Sequence, residues 1–159
     1  MNPVSDKLQR LQVTIVQVTD FAESYPAKLV NIKPDAIAFS ANEIIYHLLE
    51  VEELWQRRIN QLLHTNDRRF QQIDPDALAK EHRYNEKPYK EGIEKLKAAR
   101  KETIKLIDGM NEDGLHLIGV HSQYGEMDTF RILEIIINHD LRHLQQMERT
   151  LGLVKKMIN

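Results

Sequence analysis

The sequence contains no cysteine among its 159 residues. Disulfides, thiolate zinc sites, iron–sulfur clusters held by cysteine and a cysteine nucleophile are therefore excluded. Long apolar runs are also lacking, and no window approaches the roughly 18 uninterrupted apolar residues of a membrane-spanning helix. Residues 1–11 have no apolar core of the signal-peptide type. These absences predict a soluble cytoplasmic protein without a membrane partner.

Neither sign of charge dominates the chain. Lys and Arg number 22, Asp and Glu number 24, and the formal net charge is −2. Because non-specific binding to nucleic acid requires a basic surface that releases counterions, we expect no nucleic-acid partner. Apolar residues (42%) and charged residues (29%) are balanced as in globular proteins. The length predicts one domain, residues 1–159.

Four stretches have the three- and four-residue apolar spacing of amphipathic helices. The first is predicted to begin at about Ser5, with Ser5 as the N-cap, and to end before Pro26, which cannot continue a helix. Glycines are predicted to end the third and fourth helices. The predicted helices and their boundaries are about 5–25, 41–64, 88–108 (ended by Gly109) and 128–151 (ended by Gly152).

The second predicted helix has the clearest start signal, because Ser40 and Glu43 form a capping-box pattern. Two segments between helices are irregular, 65–88 and 110–127, and the latter suits a short extended piece or hairpin. The fold class predicted is all-α, a four-helix bundle with two longer connections.

Histidine placement is the most informative feature of the sequence. His139 and His143 are four residues apart, which stacks two imidazoles on one helix face. His47 lies on the corresponding apolar row of the second helix. Three imidazoles from two helices would hold one metal ion and leave a coordination position open. The alternative is that each is a hydrogen-bonded core histidine, and the H-x-x-x-H pattern alone is weak.

Three segments carry a resemblance to a known family: Ser40-x-x-Glu43-x-x-x-His47-Leu48, the stretch 121–129, and the stretch 137–147 containing His139 and His143. Together they resemble the DinB/YfiT-like superfamily of four-helix bundles. The resemblance implies a divalent metal ion, nickel or zinc first and iron or manganese as alternatives. It implies His47, His139 and His143 as the ligands, and a homodimer.

The resemblance also frames the function. Some members of the superfamily are thiol-dependent transferases or isomerases that use bacillithiol, mycothiol or glutathione, and many have no established activity. We expect either a metal-dependent thiol S-transferase of the bacillithiol type or a metal-dependent hydrolase, acting on a small-molecule substrate. Because the chain lacks cysteine, any thiol must come from a cosubstrate. The alternative is a non-catalytic metal-binding protein of stress response or interaction. No catalytic residue can be assigned.

Other polar residues have less definite roles. Glu50 and Asp140 could orient a ligand imidazole, but we expect both to be solvated surface carboxylates. His121 is expected to be an exposed loop residue, with a place at the mouth of the site as the alternative. A group of arginines could attract an anionic cosubstrate but is expected to be solvated: Arg57, Arg58, Arg68 and Arg69.

Several catalytic motifs are missing. No G-x-S-x-G, P-loop, G-x-G-x-x-G or H-E-x-x-H pattern occurs, so serine-hydrolase, nucleotide-binding and zincin interpretations lack support. No Glu-x-x-His occurs either, which disfavours a carboxylate-bridged di-iron bundle.

Overall fold

A computed structural model describes residues 3–159, and four long helices of this range form a bundle. The all-α prediction is confirmed. The predicted single domain also includes Met1 and Asn2, which lie outside the described residues. The long helices are α1 (Pro3–Ser24), α2 (Ala41–His64), α4 (Tyr89–Asp108) and α6 (Thr129–Ile158). The shorter elements are β1 (Arg69–Phe70), α3 (Pro75–Glu81), α5 (Glu112–Leu115), β2 (Gly119–His121) and β3 (Gly125–Met127).

The first two long helices, α1 and α2, follow each other in the chain but are not neighbours in the bundle. Helix α1 packs against α6 and α4, and α2 packs against the same two helices. Helices α1 and α2 therefore occupy opposite corners, and the connection 25–40 crosses between these corners. This arrangement places one face of α2 directly against α6. These two helices carry the predicted metal ligands.

The start of α2 is where the sequence predicts it, whereas the start of α1 is not. Ser40 accepts a hydrogen bond from the N–H of Glu43 (3.1 Å), and Glu43 Oε2 accepts one from the N–H of Ser40 (2.8 Å). This reciprocal pair confirms the capping box. The prediction of Ser5 as an N-cap is wrong, since α1 already includes Pro3 and Ser5 lies within the helix.

The prediction that Gly152 ends the last helix is also wrong. Helix α6 continues to Ile158. A glycine inside an exposed helix costs only about 1 kcal/mol relative to alanine, and burial of Val154 beyond it supplies a larger favourable contribution. None of the helices in the described part of the chain is both long and apolar enough to cross a membrane.

The irregular segments meet in a small sheet at one end of the bundle. Strand β1 pairs in parallel with β2, and β2 pairs antiparallel with β3 as the hairpin expected within 110–127. A Cβ at Gly119 would overlap the ring of Phe70, so only glycine leaves room for that ring. Gly125 forms the turn with φ 74°. The sheet fixes the position of His121 at the end of β2.

Candidate metal centre

The three predicted histidine ligands lie together between α2 and α6. The Nε2 atoms are 3.1 Å apart for His47 and His139, 3.2 Å for His47 and His143, and 3.0 Å for His139 and His143. His47 is buried and the other two are half-buried. The edge of the His47 ring contacts Phe39, with ring centroids 5.8 Å apart. The facing sides of α2 and α6 thus bring three ring nitrogens together at one point.

The protonation of these rings suits a cation. Burial is the main cause that lowers the pKa of His47 to about 3, of His139 to about 2 and of His143 to about 4. All three imidazoles are therefore neutral at pH 7. His143 Nδ1 lies 2.6 Å from Gln146 Oε1, which can only accept, so the ring proton sits on Nδ1 and Nε2 carries a lone pair.

The spacing of the cluster fits one metal ion. With metal–nitrogen distances of about 2.0–2.1 Å, two nitrogens lie about 3.3 Å apart in a tetrahedral site and about 2.9 Å apart in an octahedral one. The observed 3.0–3.2 Å falls between these values. A set of three neutral imidazole ligands fits a late divalent ion better than magnesium or calcium, which prefer oxygen ligands.

A buried ion-pair network supports the helix that carries two of these histidines. Arg100 on α4 is 1% exposed and donates to both oxygens of Glu52 and of Asp140 at 2.8–3.0 Å, and to the carbonyl of Leu11 at 2.8 Å. Thr14 also donates to Asp140 at 2.5 Å. All five guanidinium N–H groups are used. The network joins all four long helices one residue after His139.

The expectation that Asp140 is a solvated carboxylate is therefore wrong. Asp140 is 2% exposed, and burial raises its pKa although Arg100 opposes the shift. Its oxygens bond to Arg100 and Thr14, so it holds α6 in register and does not act on the imidazole of His139 directly. Sequence reasoning missed Arg100 and Glu52 as well, although both occupy the inward rows of their helices.

The histidine cluster opens into a cavity of about 350 Å³. The cavity lies between α2, α6 and the sheet, and its wall includes Trp55, Arg58, His121 and Tyr124 besides the three histidines. The expectation of an exposed His121 is wrong, since the residue is 2% exposed. The expectation of a solvated Arg58 is also wrong, since this residue is 6% exposed. It is buried because its face of α2 turns inward against the sheet.

The remaining candidates lie away from the cluster. Glu50 is half-buried and accepts a hydrogen bond from Tyr84, with His82 Nδ1 3.0 Å from the same oxygen, so it does not orient His47. His64 and His116 are exposed. Neither they nor His82 belongs to a group of possible metal ligands among the described residues.

The fold and the histidine cluster define a four-helix bundle with a candidate metal centre in the wall of a cavity. The family model of the DinB superfamily matches residues 10–147, and the chain belongs to this superfamily. Among solved structures, it is similar to YfiT from Bacillus subtilis, described as a "probable metal-dependent hydrolase with an unusual four-helix bundle topology". The TM-score is 0.80 at 11% identity, over 96% of this chain and 86% of that one. No curated protein matches the sequence.

Proposed function

We propose that this protein is a metal-dependent hydrolase whose ion is held by His47, His139 and His143. The observation that carries the proposal is the convergence of three neutral imidazole nitrogens within 3.2 Å of one another at the wall of a cavity. The description of YfiT as a probable metal-dependent hydrolase supports the same class of activity. The chain has no cysteine, so no side-chain thiol competes for the ion.

The protein's own residues prepare this chemistry in three ways. The three rings offer lone pairs because burial keeps them neutral. Gln146 fixes the orientation and tautomer of His143, as partners of metal-bound imidazoles commonly do. Phe39 and Trp55 contribute apolar surface to the cavity wall. A divalent ion held there would lower the pKa of a bound water and polarise an acyl or phosphoryl oxygen.

A second candidate is a thiol S-transferase of the bacillithiol type. The observation that favours it is the cavity volume of about 350 Å³, which has room for an organic cosubstrate beside the cluster. A thiol presented to a cation would be stabilised as the thiolate, the nucleophilic form. A non-catalytic metal-binding protein remains the alternative to both enzymes, and it predicts ion uptake without turnover.

The test is an activity screen of nickel- and zinc-loaded protein. Carboxylic-ester, amide and phosphoester probes test hydrolysis, and low-molecular-weight thiols with an electrophile test transfer. We expect His139→Ala to abolish the activity found, and the matched control His64→Ala, which removes an exposed histidine at the end of α2, to retain it. Activity that survives His139→Ala, or that is equal without metal, would contradict the proposal.

The finer properties follow the same proposal. Nickel or zinc is the proposed ion because imidazole sites favour late divalent metals, with iron or manganese as alternatives set by cellular supply. The substrate is a small molecule. The proposed assembly is a homodimer in the cytoplasm. Sedimentation equilibrium should give twice the chain mass of 18.7 kDa, and a single-chain mass would exclude the dimer.

A further inference from the structure

Arg58 is a buried cation with an unusual lack of a counter-charge. Its side chain packs over Trp55, with the guanidinium carbon 4.6 Å from the ring centroid, and it donates a hydrogen bond to the carbonyl of Gln71. Within residues 3–159, no carboxylate lies within ion-pair distance of it. The contrast is Arg100, which is 1% exposed where Arg58 is 6% exposed, and which is bonded to two carboxylates.

The missing partner has an energetic consequence. A buried charge without a partner is costly, and buried guanidinium groups are normally paired with carboxylate or phosphate. Burial lowers the pKa of Arg58 to about 10, with a further contribution from the charge of Arg57. Asp76 lies on the wall of the same cavity, but it is exposed and outside ion-pair distance of Arg58. Residues 3–159 therefore offer Arg58 no counter-charge, and a bound anion would supply one.

A second hydrogen-bond donor faces this side of the cavity. His121 Nδ1 accepts hydrogen bonds from the N–H groups of Gln123 (3.0 Å) and Tyr124 (3.2 Å). The proton of the neutral ring is therefore on Nε2, which makes that atom a donor. The ring stacks on Tyr124, with centroids 4.6 Å apart, and lies 6.4 Å from Trp55. Arg58 and His121 thus flank the same indole on the cavity wall.

We propose that Arg58 and His121 form an oxyanion subsite in the cavity beside the histidine cluster, so that the substrate carries a carboxylate or phosphoryl group. The planar guanidinium binds either group with two parallel hydrogen bonds, and the imidazole N–H adds a third donor. The apolar wall around Trp55 then holds the part of the substrate next to its charged group. This inference rests on the proposed function, since it names the substrate class of the same site.

The test is an NMR titration of the protein with sodium phosphate and, separately, sodium benzoate at low salt. It is done both on metal-loaded and on chelator-treated protein, because an ion could itself bind either anion. Benzylammonium chloride is the control for benzoate, because it has the same apolar ring but carries no negative charge. Arg58→Met removes the charge but retains a side chain that can pack on Trp55, and Arg57→Met removes the same charge from the exposed neighbouring position.

We expect chelator-treated protein to bind at least one anion, and Arg58→Met to weaken that binding by about tenfold or more. Arg57→Met should stay within twofold of the parent protein, and benzylammonium should not bind. Phosphate binding alone would assign a phosphoryl group, and benzoate binding alone a carboxylate. Lack of binding of both anions, or equal weakening by Arg57→Met and Arg58→Met, would overturn the subsite.

Two further variants protect the test against a folding defect. Arg58→Lys keeps the charge without the planar fork and should bind the anion less tightly than the parent but better than Arg58→Met. His121→Phe keeps a ring against Tyr124 and removes both the Nε2 donor and the Nδ1 acceptor of the Gln123 and Tyr124 N–H groups, so it should also weaken binding. Metal uptake by all these variants should equal that of the parent, which separates failure of the subsite from failure of the metal centre.

Discussion

The Arg100 network gives the largest stability effect that the structure predicts. Arg100→Met removes five hydrogen bonds and leaves the carboxylates of Glu52 and Asp140 buried together without a cation, each with its side chain 3% exposed. Removing one partner from a buried ion pair costs about 3–5 kcal/mol. Because a domain is stable by only about 5–15 kcal/mol, this loss is a large part of the total.

Urea unfolding followed by circular dichroism measures this loss. The matched control is Lys101→Met, one residue along α4 and exposed, which should change the free energy of unfolding by less than about 0.5 kcal/mol. Arg100→Met combined with Asp140→Asn removes one of the unpaired charges and should recover part of the stability. A loss below about 1 kcal/mol for Arg100→Met would refute the role given to the network.

Three further predictions concern pH and glycine. The lowered pKa values of the three clustered histidines mean that the unfolded chain binds protons below about pH 6.5 that the folded, metal-free chain does not. The free energy of unfolding of chelator-treated protein should therefore be constant near pH 7–8 and fall toward pH 4, by up to about 1.4 kcal/mol per pH unit for each histidine. The His47→Leu variant should show a shallower dependence on pH. Equal slopes for the variant and the parent protein would contradict this prediction. Gly152→Ala should raise the free energy of unfolding by about 0.5–1 kcal/mol, since the position is helical with no atom within 4 Å of the new Cβ. Gly119→Ala should lower it by about 1–3 kcal/mol through the clash with Phe70, and a thermal melt that ranks the two variants in the opposite order would contradict both assignments.

The parts of the fold that the sequence predicts well are those set by local patterns. The apolar spacing located all four long helices, and the Ser40–Glu43 pair located the start of α2 to the residue. The pattern did not locate the end of α6, because a glycine is a weak stop signal when the residues beyond it still have a buried face. Strand β1 had no signal at all, since two residues gain an extended conformation only by pairing with a distant strand.

In the candidate site, too, local patterns were predictable and long-range packing was not. The positions of His47, His139 and His143 on apolar rows were enough to predict that they converge, and the helix packing brings them together. The burial of His121 and Arg58 in the cavity wall was not the expected outcome, because it depends on how the sheet folds back over α2. Arg100 was predictable in principle: it continues the inward row of Ile93 and Leu96, and a charge in such a row signals a buried partner.

The ion that we propose to be held by His47, His139 and His143 can be counted directly. The most direct measurement is native mass spectrometry with elemental analysis of protein purified without a histidine tag and then offered nickel or zinc. We predict one ion per chain for the parent protein and for His64→Ala, and loss of stoichiometric binding in the alanine variants of His47, His139 and His143. A parent protein that takes up no ion, or a triple variant that binds as the parent does, would contradict the claim.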